Sequence, residues 1–159
     1  MKHFLFLFLF LTTILIKAQN FITAEGEFMD TTRTVYNNCK EDPIYYYAVK
    51  GKYPMNSESL LKELHHFLQT KNNSYTGNGY ITFRCRIGCD GKKGGRVQVL
   101  QTDELYKTTH FKKEFVNELY AFFKTMDKWP IVKIKEENVS YMTYITFKIK
   151  NGKVIAIIP

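Results

Sequence analysis

The sequence lacks the short motifs that mark the common catalytic and cofactor-binding sites. It has no GxSxG, no HExxH and no glycine-rich phosphate loop. None of its cysteines stands near a credible partner for nucleophilic catalysis. We therefore expect a chain that is not an enzyme and that holds no cofactor.

Cysteine is scarce, with three residues in the chain, so at most one internal disulfide can form. Cys39 and Cys89 lie in loop-like sequence, where an oxidising compartment would favour pairing them. Cys85 fits a small buried hydrophobe on a strand. A bond between Cys85 and Cys89 is less favoured, because residues four apart in a strand lie roughly 13 Å apart unless the chain bends at Gly88. The sequence alone leaves open whether the Cys39–Cys89 pair forms.

Metal ligands are also few. The cysteines form no CxxC pair, and His65 and His66 are neighbours on a predicted helix. Adjacent helical residues diverge by about 100°, so these two imidazoles cannot easily meet one ion. We expect no metal site.

No apolar run at the N-terminus is long enough to span a membrane. Lys2 and His3 precede an apolar stretch from Phe4 to Ile16, about 13 residues where a spanning helix needs roughly 20. Ala18 then supplies a small residue. This order predicts a signal peptide over residues 1–18, cleaved after Ala18, rather than an uncleaved anchor. The mature product is expected in the periplasm or outside the cell.

The chain is basic, with a formal net charge of +8. Such an excess can indicate nucleic-acid binding, but the lysines are spread along the chain instead of forming one stripe. Export also argues against a nucleic-acid partner. We expect a solvated basic surface.

Residues 19–50 show no sustained periodicity and are interpreted as a leader segment before one domain at 51–159. Within this leader, Tyr45, Tyr46 and Tyr47 could form a stacking platform for sugar or peptide. The same residues fit a strand that lies over a core, and we favour packing.

Alternating apolar residues predict a hairpin in the middle of the chain. Ile81, Phe83, Cys85 and Ile87 recur at every second position, which is the period of a half-buried antiparallel strand. The glycine-rich stretch 90–95 tolerates positive φ, and the alternation resumes after it.

Two amphipathic helices flank this hairpin. The first is predicted to begin near Asn56 or Ser57, either of which can cap free amide groups. The second is predicted to begin near Thr108 or Thr109 and presents an aromatic-rich apolar face. It ends before Trp129, because a residue followed by proline is pushed out of helical geometry.

The last third of the chain is again strand-like. Residues from Tyr141 alternate, and Asn151-Gly152 is the strongest short-range signal for a two-residue hairpin turn. The stretch Val154 to Ile158 is apolar at nearly every position, so it is either covered on both faces or available to a partner. The order of elements predicts an α+β fold: an antiparallel sheet of three to five strands with two helices packed on one face.

Several segments match a known family pattern. They are Tyr53-Pro54 ahead of the helix sequence LLKELHHFL, the strand from Gly79 to Asp90-Gly91 with VQVL after it, the helix end from Met126 to Pro130, and the strand ITFKI. In these features the chain resembles the periplasmic C-terminal domain of TonB-like energy transducers. The short apolar run indicates a stand-alone exported domain in place of a membrane-anchored transducer.

The resemblance implies a function in binding protein at the bacterial cell envelope. In that family the domain exchanges a strand with a short peptide of an outer-membrane receptor, and backbone hydrogen bonds give affinity. An edge strand is then expected near Tyr144 to Ile149 or Val154 to Ile158. The implied partner-binding residues are Tyr144, Phe147, Ile149, Val154, Ile155 and Ile157.

Three alternatives stay open. Self-pairing through the last strand would give a homodimer. The tyrosines, the histidines and the single tryptophan also fit an envelope hydrolase or a carbohydrate-binding protein, with His65 or His110 as the histidine to test.

Overall fold

The computed structural model describes residues 27–29, 39, 43–69, 71 and 73–159. The predicted signal peptide and its cleavage site lie outside these residues. The strands are β1 (Glu27–Phe28), β2 (Ile44–Tyr45), β3 (Gly79–Ile87), β4 (Lys93–Thr102), β5 (Val132–Ile134), β6 (Glu137–Val139), β7 (Tyr141–Lys150) and β8 (Lys153–Ile158). The helices are α1 (Tyr46–Val49), α2 (Ser57–Leu68) and α3 (Lys113–Thr125).

The predicted α+β class is confirmed. Six strands form one sheet in the order β1-β4-β3-β7-β2, with β8 also paired to β7, and β5 pairs with β6 separately. The sheet is mixed, because β2 runs parallel to β7 while the other pairings are antiparallel. The short strands β1 and β2 come from the predicted leader segment 19–50, and they raise the strand count above the expected three to five.

Strand β3 shows the predicted alternation along its whole length. Its residues are by turns buried and half-buried, and it pairs with β4 on one side and β7 on the other. The turn after it is tighter than predicted, since Gly88 N donates to Lys92 O at 2.8 Å and residues 93–95 already belong to β4.

The second hairpin turns at Asn151 and Gly152, as predicted. Their φ angles of 51° and 70° fit a primed two-residue turn, which matches the twist of antiparallel strands. Gly152 N donates to Gly77 O at 2.8 Å, so the turn also packs against the segment before β3.

Helix α2 begins where the sequence predicts. The Oδ1 atom of Asn56 accepts a hydrogen bond from Ser59 N at 2.9 Å and caps the helix. The predicted start of α3 near Thr108 or Thr109 is wrong. Thr108 bridges to Thr102 of β4, and Thr109 N donates to Gln101 O, so the chain stays extended until Lys112.

Both long helices pack on one face of the sheet, as predicted. The ring of Phe83 lies 5.4 Å from that of Phe123 in α3, and Phe147 of β7 meets Phe122. The ring of Phe67 links α2 to α3 through a contact with Phe122 at 5.7 Å. Trp129 is buried after α3, and its indole N–H donates to Met126 O.

Candidate functional site

The six predicted partner-binding residues occupy β7 and β8 but do not share one surface. Four side chains are buried against the helices, while Tyr144 and Ile155 are 36% and 44% exposed. The buried four are Phe147, Ile149, Val154 and Ile157.

Of the two predicted edge segments, one lies at an edge of the sheet and the other lies inside it. Strand β7 is paired with β3 along residues 141–149 and with β8 along residues 146–150. In the described part of the chain, β8 pairs with no strand other than β7. Its outer side faces the start of α2, where Ile157 N donates to Ser57 Oγ at 3.2 Å.

A register shift exposes Ile155 on this edge. Lys148 pairs with Ala156 and Ile149 pairs with Val154, so Ile155 is the extra residue of a bulge. Ile158, at the end of the strand, is 46% exposed. The edge of β8 thus presents two apolar side chains beside backbone groups that another strand could use.

The face of the sheet that points away from α2 and α3 forms a second surface. Arg84 stands between Gln98 and Tyr144 in the register, and the hydroxyls of Thr82 and Thr146 hydrogen-bond at 2.9 Å. We call this surface the open face and define it by Tyr80, Thr82, Arg84, Gln98, Tyr144 and Lys148.

Tyrosines surround the open face. Tyr46 of α1 and Tyr144 share a hydrogen bond between their hydroxyls at 3.0 Å, and this bond, with burial second, raises the pKa of Tyr144. The predicted packing of the three tyrosines is confirmed for Tyr46, which is partly buried against the core, and is wrong for Tyr45 and Tyr47. They are 44% and 70% exposed and stack on each other, because β2 ends at Tyr45 and the chain turns into α1.

The predicted Cys39–Cys89 disulfide is present, with the two Cα atoms 5.8 Å apart. It ties the leader segment to the turn that follows β3. Cys85 is free and fully buried, and burial raises the pKa of its thiol to about 12. A structural disulfide is typical of proteins from oxidising compartments.

Two histidines, His110 and His65, line separate cavities. His110 Nδ1 lies 3.2 Å from Glu27 Oε1 at a cavity of about 660 Å³ between β1, β4 and α3. Gln101 orients the carboxylate, since its Nε2 donates to Glu27 Oε2 at 2.5 Å. His65 borders a smaller cavity of about 210 Å³ that also contains the buried Glu118.

The larger cavity contains ionisable and amide side chains. Among the described residues, its lining includes the imidazole of His110, the carboxylate of Glu27 and the amine of Lys113. Among the described residues no three His, Cys, Asp or Glu side chains cluster as a metal site would require.

Sequence reasoning missed the open face, although its strands were predicted. Polar side chains at alternate positions indicate a wet face, but only the register shows which of them become neighbours. In the described residues no helix is long and apolar enough to cross a bilayer. Comparisons with protein-family models, with curated proteins and with solved structures found no match for this chain.

Proposed function

We propose that this chain is an exported, non-catalytic binding module of the bacterial cell envelope that captures an extended peptide along β8. The observation that carries the proposal is the position of β8, which pairs with β7 on one side and, on the other, has exposed Ile155 and Ile158 and no further strand among the described residues. The Cys39–Cys89 disulfide supports export, after cleavage of the signal peptide near Ala18.

Edge-strand addition provides the binding mechanism. An incoming peptide gains backbone hydrogen bonds from β8, and its alternate side chains meet Ile155 and Ile158. In the free protein Ser57 Oγ accepts from Ile157 N. The Ser57 side chain can rotate away from Ile157 N. A carbonyl oxygen of the peptide can then replace Ser57 Oγ as the acceptor of that N–H. Contact with an outer-membrane receptor, as in the TonB-like family, would be one instance of this mechanism.

Photo-crosslinking in cells tests the proposal directly. A photoreactive residue replaces Ile155, and a matched probe replaces Ile131, which is 54% exposed and lies against Gly91 in the turn after β3. We expect the Ile155 probe alone to capture another envelope protein, identified by mass spectrometry. Capture of this chain alone would instead indicate a homodimer, and equal products from both probes would contradict edge binding.

Two substitutions separate binding from folding. Ile155→Lys places a charge on the exposed edge and should abolish capture while leaving the free energy of unfolding within about 0.5 kcal/mol. Ser57→Ala removes the competing acceptor and should strengthen capture. Retained capture by Ile155→Lys, measured with the crosslinker at Ile158, would exclude this edge as the binding surface.

An envelope hydrolase is a second candidate, and one observation favours it. The carboxylate of Glu27 holds His110 at the mouth of the larger cavity, which is an arrangement that can activate water. Turnover of cell-wall fragments that disappears in His110→Ala but persists in His66→Ala would establish this activity. The absence of turnover in the native protein would leave binding as the function.

A further inference from the structure

The open face lies on strands that carry charge of one sign. The four long strands β3, β4, β7 and β8 contain seven basic residues and no aspartate or glutamate. Six of them are Arg84, Arg86, Arg96, Lys148, Lys150 and Lys153. The seventh, Lys93, lies on the helix-covered face, where its Nζ donates to Lys124 O and Met126 O. Like charges directly opposite each other on neighbouring strands repel, and here Lys150 faces Lys153 in the register. The excess of positive charge on these strands favours an anionic ligand.

The middle of this surface is polar. Arg84 is flanked by the amide of Gln98 and the ring of Tyr144, and the next row holds the paired hydroxyls of Thr82 and Thr146. Protein interfaces usually bury an apolar centre inside a polar rim. Here hydrogen-bonding groups occupy the centre, which suits a ligand that is itself rich in hydroxyl groups.

Aromatic rings border the same surface. Tyr80 stacks on Tyr106 at 5.2 Å, and Tyr106 is 73% exposed. Tyr144, which lies beside Arg84 in the register, meets Tyr46 edge to face. The faces of sugar rings carry C–H groups that pack on exposed aromatic rings, and a tyrosine adds a polar hydroxyl at the same place.

We propose that the open face binds an anionic polysaccharide, with Arg84 and Lys148 pairing with its carboxylate or sulfate groups and the tyrosines packing on its sugar rings. Neighbouring strands are about 4.8 Å apart, so β4, β3, β7 and β8 span about 15 Å, which accommodates an extended chain of several sugars. The guanidinium of Arg84 can pair with an anionic group through two hydrogen bonds. This site is separate from the β8 edge and does not depend on peptide capture.

Two other polyanions match this surface less completely than a glycan does. An acidic peptide satisfies the charge but not the hydroxyl-rich centre. A single-stranded nucleic acid satisfies both charge and stacking, yet the Cys39–Cys89 disulfide indicates an oxidising compartment, away from the cytosol. Charge, hydrogen bonding and compartment together favour the glycan.

The test compares three labelled probes of equal charge: an oligogalacturonate, an oligoglutamate and an oligothymidylate. Fluorescence anisotropy at about 0.15 M salt, where distant charges are screened, reports the affinity of each. We expect the oligogalacturonate to bind most tightly and a neutral oligosaccharide not to bind. Arg84→Gln and Lys148→Gln should each weaken oligogalacturonate binding about 10-fold, the loss expected for one charge-assisted hydrogen bond.

Lys62→Gln is the matched control, because it removes the same charge from an exposed position on α2 that pairs with Glu58 at 2.9 Å. Lys148 is itself exposed, so its variant keeps the test valid if Arg84→Gln folds poorly. An equal loss of oligogalacturonate affinity in Lys62→Gln would overturn the site, because binding would then depend on the net charge of the protein alone. Equal or tighter binding of oligoglutamate or oligothymidylate would contradict the assignment of a glycan as the ligand. The absence of oligogalacturonate binding would contradict it as well. Unchanged glycan binding by Ile155→Lys would separate this site from the β8 edge.

Discussion

Gly152 and Gly95 share a backbone conformation but differ in their surroundings. Both have a φ angle of 70°, which L-residues with a side chain rarely adopt. A Cβ atom at Gly152 would collide with the backbone carbonyl of Tyr75, whereas a Cβ at Gly95 would meet no atom within 4 Å. The pair therefore separates backbone strain from steric collision.

We expect Gly95→Ala to lower the free energy of unfolding by about 1–2 kcal/mol, the usual cost of a left-handed residue. Gly152→Ala should lower it by roughly 3 kcal/mol or more, because strain and collision act together. Urea unfolding followed by circular dichroism measures both. Equal losses would mean that the turn moves away from Tyr75 without cost.

The Cys85 thiol links burial to pH. Burial raises its pKa from an ordinary value of 9.0 to about 12, although nearby Lys93 opposes the shift. Below pH 9 the thiol is protonated in both states, and its contribution to stability is complete. Above pH 9 the unfolded thiol ionises first, so unfolding releases a proton and becomes easier as the pH rises toward 12.

We expect the free energy of unfolding to fall between pH 9 and pH 12, and to fall less steeply in Cys85→Ala. Tyr141, whose pKa is raised by burial and further by Cys85, is present in both proteins, so the difference between the two slopes reports Cys85 together with its effect on Tyr141. Chemical unfolding at several pH values gives the slopes. Parallel slopes would contradict this role for the thiol.

At the scale of elements, β8 combines a core position and a surface position. Ile157 is fully buried and Ile155 is 44% exposed, although only Ala156 separates them. We expect Ile157→Ala to cost about 2–4 kcal/mol of stability and Ile155→Ala less than about 1 kcal/mol. Urea midpoints measure the difference, and similar losses would place Ile155 in the core as well.

The long elements were predictable because each buries one regular face. The period of two in β3 and β7, the Asn151-Gly152 turn and the cap at Asn56 are local signals that packing then reinforces. The hairpin of β5 and β6 was missed, because its turn places Lys135 and Glu136 at positive φ without glycine or asparagine.

The short elements and the candidate sites depend on long-range pairing. Strands β1 and β2 have two residues each, which is too few to show a period in the sequence. They form because they pair with β4 and β7. The aromatic run of α3 suggested a helix from Thr108, but pairing with β4 delays the start to Lys113. The open face follows the same logic, since Arg84 and Tyr144 are 60 positions apart and meet only through the register.

At the scale of the whole molecule, the two long helices cover one face of the sheet, and the two proposed binding surfaces lie at the β8 edge and on the open face. The β8 edge offers backbone hydrogen bonds, and the open face offers charge, hydroxyls and rings. The two surfaces adjoin at Ile158, which pairs with Thr146 on the open face. One module could therefore hold a protein and a glycan side by side.

The disulfide stabilises this arrangement from outside the core. It closes a loop with a sequence separation of 50 residues, so the loss of chain entropy in the unfolded state predicts about 4 kcal/mol of stabilisation. We expect reduction, or the double substitution Cys39→Ser with Cys89→Ser, to lower the free energy of unfolding by this order. Urea unfolding with and without a reductant measures it, and the double variant, which should not respond to reductant, is the control. A loss below about 1 kcal/mol would mean that the leader segment is held by β1 and β2 alone, since cross-linking would then add little to contacts already present in the sheet.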